Sequence, residues 1–190
     1  MNFVNEHYTQ TLEIKQSKFI SHLVPYPLYE TTLQKLREEH PKARHFVVAF
    51  RYLNEFKQIV EHSSDDGEPK GTSGKPTLMV LQGKELINCG IITVRYFGGT
   101  KLGTGGLVRA YSDATNLVLE LASLQEYKEE ILQTILFEYA QTRKVEYECS
   151  ILGITIVEKF FSDTPKYILK ADEKSMENLL QNLDRLVTKI

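Results

Sequence analysis

The stretch LINCGIITVRYFGGTKLGTGGLVRAYSDATNLVLELA, residues 86–122, decides the fold. Leu86 to Val94 is an apolar run of strand length, interrupted at Gly90, and reads as a fully buried strand. Leu107 to Ala122 spaces its apolar residues as a helix does. Leu107, Ala110, Tyr111, Ala114, Leu117, Val118 and Leu121 make one stripe, and Arg109, Asp113, Asn116 and Glu120 face the other way. The segment between them holds Gly98, Gly99, Gly103, Gly105 and Gly106. It is expected to turn the chain from strand into helix, with Thr104 as N-cap and the last two glycines at or just before the first turn.

Upstream of this unit, residues 9–24 read as two strands joined at Gln16-Ser17, and Leu28 to Glu39 as a helix stopped by Pro41. His45 to Phe50 is a short apolar strand. A loop follows, and Pro76 starts a short helix through Leu81 that Gly83 ends. Downstream of Leu124-Gln125-Glu126 the glycine-rich character is lost and a second pattern begins. Strand 130–137, helix 139–150, strands 154–160 and 166–170, helix 173–183 and strand 186–190 give the order βαββαβ, the ferredoxin-like plan. The expected class is α+β, with one domain over residues 1–125 and another over 126–190.

Composition narrows the function classes. A net charge of −2 over 190 residues offers no global basic field for nucleic acid, and residues 126–190 carry nine basic and twelve acidic side chains. Any charge signal is therefore local. Cys89 and Cys149 are far apart without metal-type spacing, which fits buried thiols in a reducing compartment. No apolar run approaches the roughly 18 residues of a membrane span, and the N-terminus lacks a signal-peptide pattern. A cytoplasmic protein without a membrane partner is expected.

Eight of the eleven glycines fall in two segments, 64–76 and 95–109. Glycine is the residue most costly to order, so such clustering marks unusual backbone angles or close approach. The second segment contains Arg95, Lys101 and Arg109 and not one acid. With the backbone of Gly98, Gly99, Gly103, Gly105 and Gly106 at a helix N-terminus, these cations form a candidate anion site for a phosphate, a nucleotide or an RNA backbone. The spelling matches neither a P-loop nor the dinucleotide fingerprint. The competing reading is close packing, with Arg109 merely pairing with Asp113. Tyr96-Phe97 are placed to stack bases beside the cations, or to fill a core at a strand end.

The first segment is acidic, then basic. Asp65, Asp66, Glu68, Thr72, Ser73 and Lys75 form a supporting acidic and hydroxyl loop. Its carboxylates are expected to pair with Arg95 or Lys101 or to accept backbone N–H groups. Glu61 and His62 with these acids lack the spacing of a calcium loop. Ser63, Ser64, Thr72 and Ser73 lack the nucleophile elbow of a hydrolase, and turn and cap roles account for them. His45 reads as a partly buried histidine. No metal, cofactor or catalytic residue is expected.

Ser64-Asp65-Asp66-Gly67-Glu68-Pro69 through Pro76, and Arg95-Tyr96-Phe97-Gly98-Gly99 through Tyr111, resemble the signature of the YigZ/IMPACT family. Ser17 to Ile20 and Ala43 to His45 fall at its smaller motifs. The resemblance implies a ribosomal-protein-S5-domain-2-like α/β domain, followed by a ferredoxin-like domain similar to the last domain of elongation factor G. It also implies translation control: eukaryotic relatives act through protein contacts, and RNA or ribosome binding is inferred for bacterial members from their folds. Phe46-Val47 stand where the family often has Asn-Cys, which removes a catalytic cysteine there. Lys70 replaces a small residue and adds a cation.

Three functions follow as expectations. The first is a non-enzymatic translation-associated protein binding RNA or the ribosome. The second is an enzyme on a small phosphorylated or nucleotide ligand, using Asp65, Asp66 or Glu68 as base or magnesium ligand. The third is a protein-interaction module with a translation-control partner.

Overall fold

The computed structural model describes residues 1–190 and divides into two units, Met1–Tyr127 and Lys128–Ile190. Together they form a mixed α/β structure with five α-helices and three sheets. The first unit opens with β1 (Asn2–Phe3), β2 (Tyr8–Ile14), β3 (Ser17–Pro25) and α1 (Tyr29–Glu39). It continues through β4 (His45–Leu53), β5 (Ile59–Ser64), α2 (Gly74–Gly83), β6 (Cys89–Tyr96), α3 (Gly103–Leu121) and β7 (Gln125–Glu126).

The apolar run before the glycine loop becomes β6, the middle strand of a five-stranded sheet of order β2-β3-β6-β4-β5, antiparallel throughout. Every residue of β6 except Tyr96 is buried. Side chains alternate across a strand, so Ile92 and Val94 join Val24, Tyr29, Leu36, Phe46 and Val48 under α1. Cys89 and Ile91 lie on the opposite face with Leu23, Ala49, Leu81 and Val118, beneath α2 and α3. Fully burying a side chain such as Ile91 or Ile92 is worth about 1.5–3 kcal/mol. That is why a run lacking polar alternation takes the centre of the sheet. Farther along the same face Phe19, Val47, Leu107, Ala110, Tyr111 and Ala114 close the core under the start of α3.

Four elements differ from expectation. Residues 59–64 form the edge strand β5, paired with Val48 to Leu53, where a loop was expected. Glu61 and His62 are exposed, so the strand carries no apolar alternation of its own and depends on the free edge of β4. The ribbon of β1 with β7 was likewise not expected. Helix α3 begins at Gly103, so Thr104, Gly105 and Gly106 lie within its first turn. The N-cap position falls on Leu102, without a side-chain cap bond, and Thr104 does not cap. Leu102 packs against the Phe19–Leu107 cluster, which anchors the helix start one turn earlier than its apolar stripe suggests.

The second unit runs β8 (Glu130–Phe137), α4 (Thr142–Ile151), β9 (Thr155–Phe160), β10 (Lys166–Asp172), α5 (Glu173–Leu183) and β11 (Val187–Lys189). Its antiparallel sheet has the order β11-β8-β10-β9. Ile135, Phe137, Tyr167 and Leu169 pack beneath Val145, Cys149, Met176 and Leu179. Asp172 caps α5 by accepting the Ser175 N–H at 3.1 Å.

Candidate functional site

Arg95 lies on β6 in the same parity as Ile91 and Thr93, and this directs it under α3. Its cross-strand neighbours are Phe19 on β3 and His45 on β4. One guanidinium nitrogen, Nη1, donates to Glu68 Oε1 at 2.5 Å, and the Tyr111 hydroxyl donates to the same oxygen at 2.8 Å. The side chains of Arg95 and Glu68 are 6% and 4% exposed. The guanidinium also lies over Phe19, 5.3 Å from the ring centroid, and over Phe97 at 5.8 Å. Burial, then the Glu68 charge, pushes the Tyr111 hydroxyl far above its ordinary range, so it stays a donor. The two glycine-rich segments therefore meet in space through a buried ion pair.

The acidic loop is built around Asp65. Its Oδ2 accepts the Gly71 N–H at 2.7 Å. Its Oδ1 accepts the N–H groups of Ser73 and Gly74 at 3.0 and 2.8 Å and the Ser73 hydroxyl at 2.8 Å. Burial alone would raise this carboxyl, but the bonds from Gly71, Gly74 and Ser73 together hold it below its ordinary value. Asp66 Oδ2 accepts the Phe46 N–H at 2.6 Å. Thr72 donates to the Pro69 carbonyl at 2.6 Å, while Lys75 is exposed on α2. The carboxylates are thus spent on folding the turn and holding Arg95. No group of three or more His, Cys, Asp or Glu is arranged to hold a metal ion.

The glycines of the second segment divide by role. A Cβ on Gly98 would lie 2.0 Å from the Gln16 carbonyl carbon, and the Gly98 N–H donates to Ser17 Oγ at 3.1 Å, so this glycine lets the loop touch the β2–β3 turn. Gly99 and Gly103 take φ of 86° and 73°, where L side chains are strained. A Cβ on Gly105 would meet nothing, and one on Gly106 would press on Leu102 at 3.1 Å. Lys101 and Arg109 are exposed. Of the three cations in this segment, Arg95 alone turns inward; its charge is matched by Glu68 and is not a free surface charge.

A cleft of about 340 Å³ opens beside Arg95, lined by Lys42, Arg44, His45, Arg95, Tyr96 and Phe97. No carboxylate lines it. Lys42, Arg44 and Phe97 are exposed on its rim. His45 donates from Nδ1 to the Asp66 carbonyl at 2.9 Å, which leaves Nε2 for other contacts. The Tyr96 hydroxyl is 2.9 Å from His40 Nδ1. Lys42 and Arg44 were not among the expected site residues. The sequence signal for them is two cations flanking Ala43 just after the helix-ending Pro41. Both cysteines are free and buried, and burial pushes the Cys89 thiol up to about 12 and Cys149 up to about 11, which disfavours the thiolate.

Fold and site together define a two-unit α/β protein with an acid-free basic cleft at the end of its larger sheet. No helix is long and apolar enough to cross a membrane. The Impact N-terminal domain matches residues 15–119, a span that holds both glycine-rich segments and the cleft. A Haemophilus influenzae IMPACT family member is 38% identical over 168 residues, covering 87% of this chain and 82% of that protein. The Escherichia coli IMPACT family member YigZ is 39% identical over 139 residues, covering 70% and 67%. A crystal structure described as that of a hypothetical protein superposes with a TM-score of 0.66 at 28% identity, over 100% of this chain and 95% of the other. The chain belongs to the IMPACT family.

Proposed function

We propose that this protein is a non-enzymatic translation-control factor of the cytoplasm that binds RNA or the ribosome. The observation that carries this is the lining of the cleft beside Arg95: cations, a histidine and aromatics, with no acid. Lys101 and Arg109, on the loop and helix that follow the cleft residues in sequence, are exposed cations as well. The first turn of α3 adds N–H groups without a side-chain cap at Gly103, Gly105 and Gly106. Enzymatic use of Asp65, Asp66 or Glu68 is disfavoured because each carboxylate already accepts bonds that hold the fold.

The domain assignments belong to the same reading. Residues 1–125 are taken as ribosomal-protein-S5-domain-2-like, and residues 126–190 as ferredoxin-like. The β-α-β-β-α-β order with the sheet order β11-β8-β10-β9 supports the second assignment. The test is co-sedimentation with ribosomes and filter binding of RNA across a salt series. Binding is expected to fall as salt rises, with a log–log slope of about −0.7 per phosphate contacted on a single strand. Lys101→Ala with Arg109→Ala should reduce that slope by roughly 1.4. Association that ignores both salt and the double variant sinks the reading and favours a protein partner.

A further inference from the structure

We propose that the cleft beside Arg95 is a nucleotide site, taking one phosphate on Lys42, Arg44 and Arg95 and one base against Phe97. The proposal rests on the RNA-binding reading and narrows it to a single unpaired nucleotide, in a strand or free.

Four observations converge. Arg95 Nε is buried and has no hydrogen-bond partner, although Nη1 is satisfied by Glu68. A buried N–H without an acceptor is costly, and a phosphate oxygen entering the cleft supplies one. Arg95 is also held before any ligand arrives, by Glu68 on one edge and by Phe19 and Phe97 across its plane. Such preorganisation lowers the ordering cost of binding.

The third observation is Phe97. It is 54% exposed, lines the cleft and lies over the guanidinium. An exposed ring beside a fixed guanidinium and two exposed cations is an arrangement on which unpaired bases stack. The fourth is size. About 340 Å³ is at the lower end of small-molecule sites and suits one nucleotide. A duplex keeps its bases stacked away from such a ring, so the ligand is single-stranded or free. His45 Nε2, left available by the Nδ1 bond to the Asp66 carbonyl, adds a polar contact on the wall.

The experiment is isothermal titration of the full chain at low salt with AMP, UMP, adenosine, inorganic phosphate and hexauridylate. Arg44→Ala and Phe97→Ala alter exposed side chains, and circular dichroism confirms their fold. Mononucleotide or hexamer should bind, adenosine at least tenfold more weakly than AMP, and each variant should weaken binding about tenfold. A hexamer tighter than UMP identifies a strand. Mononucleotide binding with no hexamer binding keeps the site but removes the RNA reading. Three results overturn the proposal: no nucleotide binds, binding is indifferent to both variants, or phosphate alone matches AMP. If the ribosome still binds in a Lys101- and Arg109-dependent way while the cleft binds nothing, the site fails and the function stands.

Discussion

Removing the Glu68 carboxylate should be among the most damaging single changes in the first unit. Glu68 and Arg95 are nearly inaccessible and bonded at 2.5 Å. Glu68→Ala leaves a guanidinium buried without its counter-charge and the Tyr111 hydroxyl without its acceptor. Breaking a buried pair from one side costs roughly 3–5 kcal/mol. Tyr111→Phe is milder, because the ring keeps its edge contact with Phe19 at 5.1 Å and only the hydroxyl is lost. Losing a hydrogen bond to a charged group costs about 1.5–3 kcal/mol. Replacing both members, Glu68→Leu with Arg95→Met, should recover much of the loss, since a well-packed apolar pair is often no less stable. The chain has no tryptophan, so urea unfolding is followed by far-ultraviolet circular dichroism. A loss below about 1 kcal/mol in Glu68→Ala, or strict additivity in the double variant, would show that the pair is solvated and refute the reasoning.

Other perturbations separate roles that the same residue types share. Gly98→Ala places a methyl group 2.0 Å from the Gln16 backbone and should cost more than about 2 kcal/mol, whereas Gly105→Ala meets open space in a helical turn and should stabilise by roughly 0.5–1 kcal/mol. Similar effects from the two in denaturation would contradict the division. Asp65→Ala removes the acceptor of three N–H groups and one hydroxyl and should cost about 2–4 kcal/mol, with Asp65→Asn milder; an undiminished midpoint would mean the turn holds itself. Acid should weaken the fold through His22, whose Nδ1 lies 3.0 Å from His7 Nε2. Burial, then the neighbouring His7, lowers it to about 4 from 6.5, so the unfolded chain binds more protons between those values and stability falls as pH drops from 6.5 to 4. The loss amounts to about 2–3 kcal/mol once solvent access to the pair is allowed for, and His22→Asn should flatten the profile.

What was readable in the sequence is what local spacing controls. The period of Leu107 to Leu121 specifies α3, the apolar run from Leu86 to Val94 marks β6 to within a few residues, and the glycine segments mark where the backbone does something unusual. The family signature is legible for the same reason, since it is a local spelling. The direction of Arg95 is not local. It depends on parity in a strand whose faces are defined by α1 on one side and α2 and α3 on the other, so a residue that looks like a surface cation ends up paired with an acid from a distant turn. Likewise β5 exists because β4 offers it an edge, and Lys42 and Arg44 become a cleft wall because His45 registers opposite Arg95. By itself the sequence determined most of the elements and marked the two glycine-rich segments. Only the tertiary structure decided which charges are paired inside the fold and which stay exposed, because burial and pairing are properties of neighbours brought together across the chain.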